Sequence, residues 1–169
     1  MIVIPELLSA AQAGGIAAAL ESDQFNDGNA TTGNAGAGLK HNLELAADTT
    51  HKELGELVLG AVCVHDKFAS TAFPAKYSFP MFSRYDEGMY YDFHTDAAIM
   101  NMGTQNPVRT DLSCTIFLKD PESYDGGELT VESLDGRQQI KLPAGHAALY
   151  CTSDLHRLET VTRGVRLAA

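Results

Sequence analysis

The chain has 169 residues, 44% of them hydrophobic and 20% charged. That length and apolar content suit one compact domain with its own core, without staples. With 22 Asp and Glu against 12 Lys and Arg, the formal net charge is -10. Such a balance, with no local run of Lys or Arg, argues against a general binder of nucleic acid or anionic membrane. The acidity reads as solubility. Cys63, Cys114 and Cys151 are odd in number, form no C-x-x-C pair and lie in apolar runs. That pattern predicts buried free thiols in a reducing compartment. No basic segment with a long apolar core stands at the N-terminus, and no stretch approaches the roughly 20 apolar residues of a membrane span. The expected location is cytoplasmic.

In chain order, residues 5–25 predict a helix, because Leu7, Leu8, Ala11, Ile16, Ala19 and Leu20 recur at helical spacing and Ala is abundant. Gly14 and Gly15 weaken that helix. Residues 26–38 are small and polar and predict a mobile loop. A second helical stretch is predicted over 42–65 from Leu43, Leu45, Leu54, Leu57 and Val58, with Asp48-Thr49-Thr50 capping a new start. After Phe73-Pro74 the pattern changes to short runs rich in β-branched and aromatic residues. Strands are predicted over 77–85, 89–94, 112–118, 128–132, 138–142, 147–151, 157–161 and 165–168. Turns separate them at Asp86-Glu87-Gly88, Asp125-Gly126-Gly127, Asp135-Gly136 and Pro143-Ala144-Gly145, and Asp135-Gly136 carries a hairpin signal.

About eight short strands after a helical layer predict an α+β, mainly β, fold: a double-stranded β-helix, or jelly roll, with N-terminal helices packed on the outside of one sheet. We expect a single domain over 1–169. About 1–72 would form a helical and loop support region, and about 73–169 the jelly-roll core. The chain ends three residues after Arg166. That ending reads as a truncation or as a short form of a longer family.

His94-Thr95-Asp96, with His156 much later, is the chemistry-bearing pattern. Residues i and i+2 of a strand share a face, so His94 and Asp96 can grip one ion if Thr95 turns away. His156 must arrive from a distant strand, which a jelly roll provides. Two imidazoles and one carboxylate are the ligand set of non-haem iron(II) oxygenases and leave coordination positions open. Such a site keeps a formal surplus of about one positive charge on Fe(II), which favours a dianion. With Asp96 present rather than a small residue, hydroxylation is expected over halide transfer. A lone H-x-D arises by chance, and a strand histidine is often structural. His41, His51, His65 and His146 have no such partner spacing and read as structural or surface residues.

The segment Tyr85-x-x-Gly88-x-x-Tyr91-x-x-His94-x-Asp96 resembles the metal-binding region of prolyl 4-hydroxylase-type 2-oxoglutarate oxygenases. The following stretches are similar to bacterial PKHD-type hydroxylases: Arg109-Thr110-Asp111-Leu112-Ser113, Phe117-Leu118-Lys119-Asp120-Pro121, Tyr124-Asp125-Gly126-Gly127-Glu128-Leu129, Lys141-Leu142-Pro143-Ala144-Gly145, Leu155-His156-Arg157 and Val161-Thr162-Arg163-Gly164-Val165-Arg166. Asp27-Gly28, Thr32-Gly33 and Leu39-Lys40-x-Asn42 also look like that family. The resemblance covers roughly half the chain.

What it implies is an Fe(II)- and 2-oxoglutarate-dependent oxygenase hydroxylating a C–H bond, with O2 as oxidant and ascorbate as a reductant. The iron ligands would be His94, Asp96 and His156, and Arg166 would pair with the distal carboxylate of 2-oxoglutarate through its bidentate fork. Arg163 competes for that role. It has the opposite strand parity, and Gly164 is expected to turn the chain and leave it on the surface. Tyr85 matches a tyrosine that helps hold 2-oxoglutarate, or is a core strand residue, and Tyr91 has the same two readings. Gly126-Gly127-Glu128 is expected to build a turn and a strand start. Loop 26–38 is the expected lid, with Lys40 and Asn42 facing substrate. Arg109 pairs with an acidic substrate group or makes a structural salt bridge. The substrate is a prolyl residue in a peptide or protein, or a small metabolite; the oligomeric state is open. The rival reading is a non-catalytic jelly-roll module that binds metal structurally or serves interaction.

Overall fold

Alternation along the late strands sorts their side chains onto two faces, and this sorting builds the molecule. In the computed structural model, which describes residues 1–31, 38–134 and 136–169, three helices and sixteen short strands are formed. The helices are α1 (Ala10–Glu21), α2 (Thr49–Val64) and α3 (Asp66–Ala72). The strands are β1 (Ile2–Ile4), β2 (Phe25–Asp27), β3 (Lys40–His41), β4 (Leu43–Leu45), β5 (Ser83–Tyr85), β6 (Tyr90–His94), β7 (Ile99–Met100) and β8 (Val108–Arg109). They continue with β9 (Leu112–Ile116), β10 (Asp125–Gly126), β11 (Leu129–Ser133), β12 (Gly136–Ile140), β13 (Ala147–Cys151), β14 (Leu155–Leu158), β15 (Val161–Arg163) and β16 (Arg166–Ala168).

Two antiparallel sheets face each other. One runs β1-β13-β9 and continues into β16-β5-β4-β2. The join lies beyond β9, where Ile116 and Ala169 exchange backbone hydrogen bonds of 2.8 and 3.0 Å. The other runs β12-β11-β14-β6-β3. On β13, Ala147 and Leu149 face the helices, where they pack with Ile16, Leu20, Val58 and Val62. Ala148 and Tyr150 face the opposite way and pack with Phe117, Leu129 and Val131 between the sheets. Leu167 of β16 joins the helix-side core, so Arg166 points between the sheets. The jelly roll with helices outside one sheet is the expected fold. No helix of the described residues is long and apolar enough to cross a membrane.

Several elements differ from the sequence-based expectation. Helix α1 begins only at Ala10, because Ser9 caps it: its hydroxyl accepts from the Gln12 amide while Gln12 accepts from the Ser9 amide. The stretch 42–65 divides. Leu43 and Leu45 obey a period of two and lie in β4, and the helix starts after Asp48, whose carboxylate accepts from His51 N at 2.9 Å. Of 77–85 only Ser83–Tyr85 enters a ladder, and 157–161 is broken between β14 and β15. The first 72 residues also supply β1 to β4. The thiols are free, but Cys63 and Cys151 are exposed and only Cys114 is partly buried. The apolar runs around them mislead: Cys63 lies on the exposed side of α2, and Cys151 is exposed at the end of β13 although it shares the face of Ala147 and Leu149. Of the predicted turn at Asp135-Gly136, Asp135 lies outside the described residues, while Ser133 pairs with Gly136 as a hairpin requires. Of loop 26–38, residues 32–37 lie outside them, and Gly28–Thr31 forms a 3-10 turn.

Candidate metal centre

Strands β6 and β14 pair antiparallel with His94 directly opposite His156, which brings the two distant imidazoles side by side. The register shifts on β6, where Tyr91 is opposite Leu158. This bulge lets Tyr91 and His94, three residues apart, face the same way. Their rings stack at 3.5 Å between centroids and 8° between planes. His94 Nδ1 lies 2.8 Å from the Asp92 carbonyl and His156 Nδ1 lies 2.9 Å from the Asp154 carbonyl. Carbonyl oxygens only accept, so each Nδ1 carries the hydrogen and each Nε2 keeps its lone pair. Those Nε2 atoms stand 3.7 and 3.5 Å from Asp96 Oδ1. One ligand atom from each of the three residues lies within 4.8 Å of the others.

The facing sheet holds the carboxylate. Ser113 Oγ on β9 donates to Asp96 Oδ2 at 2.5 Å and lies 3.2 Å from Thr152 Oγ1. The Asp96 amide donates to the Thr152 carbonyl at 3.3 Å. Burial pushes the Asp96 carboxyl up, but the two neighbouring imidazoles and the Ser113 hydrogen bond outweigh it and hold the group well below the usual carboxylate range. Burial pulls His156 down, while Asp96 and the Asp154 carbonyl raise it by more. Two imidazole nitrogens and an anionic oxygen on one side of a cavity fit a divalent iron with open positions.

Arg166 is 2% exposed and sits opposite Tyr85 in the β16–β5 register. Its guanidinium carbon is 5.4 Å from the Tyr85 ring and 5.2 Å from the Phe117 ring. Its Nε has no hydrogen-bond partner, and among the described residues no carboxylate lies within ion-pair distance of it. A buried cation without a counter-charge is costly, so this pocket fits an anion. Burial pushes the Tyr85 phenol up to about 12 despite Arg166, so it remains a hydrogen-bond donor. Tyr85, Arg166 and the three metal-type residues line one cavity of about 1600 Å³.

The other expected site residues separate by position. Lys40, paired in register with Tyr91, places Nζ 5.1 Å from that ring, forms a buried ion pair with Glu44 and lines the cavity. Arg109 lies at the exposed rim, paired with Asp111 at 3.0 Å. Asn42 does not line the cavity. It is 1% exposed where the chain crosses from β3 to β4, and its carbonyl accepts from Gly28 N at 2.9 Å. Arg163 lies outside and binds both carboxylate oxygens of Asp125, at 2.6 and 3.1 Å. Sequence reasoning missed Ser113, Thr152 and Tyr150, whose ring stands 4.9 Å from His156. It also missed the β7–β8 hairpin that leaves the metal centre just after Asp96 and returns just before Ser113.

Residues 80–169 match a family described as the 2OG-Fe(II) oxygenase superfamily. A PKHD-type hydroxylase of Stenotrophomonas maltophilia is 42% identical over 170 residues, which span 100% of this chain and 76% of that protein. A PKHD-type hydroxylase of Pseudomonas aeruginosa is 44% identical over 171 residues, with the same two coverages. Among solved structures, a Pseudomonas putida prolyl-4-hydroxylase superposes with a TM-score of 0.68 at 16% identity, covering 99% of this chain and 88% of that one.

Proposed function

Because the chain belongs to the 2OG-Fe(II) oxygenase superfamily and is a 2-oxoglutarate-dependent dioxygenase, we propose that His94, Asp96 and His156 hold its iron and that Arg166 anchors 2-oxoglutarate. The observation that carries this reading is the buried Arg166, without an anionic partner among the described residues, in the same cavity as the His-Asp-His group. Bound iron supplies O2 activation, which couples decarboxylation of 2-oxoglutarate to hydroxylation of a substrate C–H bond.

The chain's own residues do the rest. The Asp92 and Asp154 carbonyls fix both imidazole tautomers, so each Nε2 is ready to ligate without losing a proton. Ser113 aims the carboxylate. The Arg166 fork reads the distal carboxylate of the co-substrate and Tyr85 donates to it, while Phe117 and Leu129 keep that end dry. Tyr91 and Lys40 form the wall beside His94, and Arg109 stands at the rim where substrate enters. We read residues 1–169 as one catalytic domain. The substrate reading is a prolyl residue in a peptide or protein, supported by the fold shared with a prolyl-4-hydroxylase, with a small metabolite as the second class. Ascorbate would restore iron(II) after uncoupled turnover, and three free thiols suit a reducing cytoplasm.

The test is anaerobic addition of Fe(II) and 2-oxoglutarate, followed by admission of O2. A weak visible charge-transfer band and then succinate are expected. Iron-loaded protein that gives neither refutes the reading.

A further inference from the structure

Tyr124 is one of the most deeply buried large side chains, 1% exposed, yet among the described residues no hydrogen bond of good geometry satisfies its hydroxyl. Arg166 Nε is another such orphan among the described residues. The two side chains flank the same glycine. A Cβ built on Gly127 would lie 3.1 Å from Tyr124 Cε2 and 3.2 Å from Arg166 Cδ, the carbon that bears Nε. Gly127 has φ 66°, so the backbone itself demands glycine there and keeps the approach close. The Tyr124 main chain is pinned independently: Lys141 Nζ donates to its carbonyl at 2.6 Å and lies 4.0 Å from its ring centroid. Burial raises the Tyr124 phenol, and the Arg166 charge is felt there in the opposite direction. Arg166 lines the cavity, whereas Tyr124 does not.

We propose that Tyr124 is a positioning residue for Arg166, its hydroxyl oxygen accepting from Nε–H so that the terminal nitrogens face the distal carboxylate of the co-substrate. This rests on the reading of Arg166 as the 2-oxoglutarate anchor. A phenol oxygen accepts as well as donates, and a guanidinium only donates, so the two orphans are complementary. In this structure neither atom is bonded, so the bond closes as the co-substrate binds, fixing the Nε edge while the remaining edge grips the carboxylate. Tyr124 acts through Arg166 and touches neither metal nor co-substrate.

The experiment is calorimetric titration of Mn(II)-loaded protein, under exclusion of O2, with 2-oxoglutarate and with 2-oxobutyrate, which lacks the distal carboxylate. Tyr124→Phe should weaken 2-oxoglutarate roughly tenfold, the effect of one hydrogen bond to a charged group. Binding of 2-oxobutyrate should not change, and neither should the melting curve, since the lost hydroxyl has no other partner. In an Arg166→Lys background, which has no Nε–H, Tyr124→Phe should have no further effect. Unchanged 2-oxoglutarate binding, equal weakening of both ligands, or an undiminished loss in the Arg166→Lys background would each overturn the proposal. Wild-type protein that fails to prefer 2-oxoglutarate over 2-oxobutyrate refutes the Arg166 anchor itself, a result distinct from a preference that survives Tyr124→Phe.

Discussion

Ser113→Ala removes, among the described residues, the one side chain of the facing sheet that donates to Asp96, at 2.5 Å. A hydrogen bond to a charged group contributes about 1.5–3 kcal/mol. The Asp96 side chain is 39% exposed, so water replaces part of what is lost and the lower end applies. About 1.5 kcal/mol is roughly a tenfold loss of metal affinity, at the modest end for a residue that supports a ligand. The sign with pH follows. The Ser113 hydrogen bond is one of the contacts holding the Asp96 carboxyl below its ordinary range, so its removal moves that carboxyl upward. Protons then compete with metal at higher pH, and the acid limb of the binding curve shifts toward neutrality. Anaerobic calorimetric titration with Fe(II) or Mn(II), at neutral pH and at several acidic values, reads both effects. Ser113→Thr keeps the hydroxyl on a strand-compatible side chain and should retain most of the affinity. Wild-type affinity in Ser113→Ala, with an unmoved acid limb, would show that the carboxylate is not held by this contact.

Arg166→Met keeps an unbranched stem but removes a buried charge without a partner among the described residues. The metal-free protein should melt no lower than wild type, while 2-oxoglutarate affinity falls by about a hundredfold or more and iron binding persists. A lower melting temperature without ligand, or the same affinity loss in Arg163→Ala, would reverse the assignment of the two arginines. Burial pushes the Cys114 thiol up to about 12 and so disfavours the reactive thiolate below that pH. Mass-resolved iodoacetamide labelling near pH 8 should therefore modify exposed Cys63 and Cys151 first and partly buried Cys114 last. Early labelling of Cys114 in folded protein would contradict its burial.

The candidate metal ligands are legible because their rule is local. His94 and Asp96 have the i, i+2 spacing of a strand, although Asp96 lies just past β6, and His156 needs only the assumption that a jelly roll returns a late strand beside an early one. The same rule separated Arg166 from Arg163, since Leu167 marks the helix-side parity of β16. What escaped depends on long-range pairing. Leu43 and Leu45 fit a helical pattern as well as a strand, and only pairing with β2 and β5 decides between them. Strands of two or three residues, such as β3 and β7, are too short for periodicity to register. The bulge that stacks Tyr91 on His94 breaks parity where parity was the only guide. Ser113 lay within a motif of the family resemblance, but a serine on a strand carries no sign of what its hydroxyl meets across a barrel.

The centre is divided between the two sheets, and that division explains its geometry. The sheet with β6 and β14 supplies both imidazoles, while the sheet with β9 and β16 supplies the Ser113 donor and Arg166. Asp96 lies on the connection between them, tied to the second sheet by Ser113 and by the Thr152 carbonyl. The distance from imidazole pair to carboxylate, and from metal centre to guanidinium, is therefore set by the layer that separates the sheets. That layer is Phe117, Leu129, Val131, Ala148 and Tyr150, all nearly or fully buried. Close-packed interiors do not deform gradually, so this core acts as a fixed spacer. Ordinary core residues thus hold the His-Asp-His group and Arg166 at one separation. A local change at Ser113 or Arg166 disturbs one end alone, whereas a change in the spacer disturbs both together.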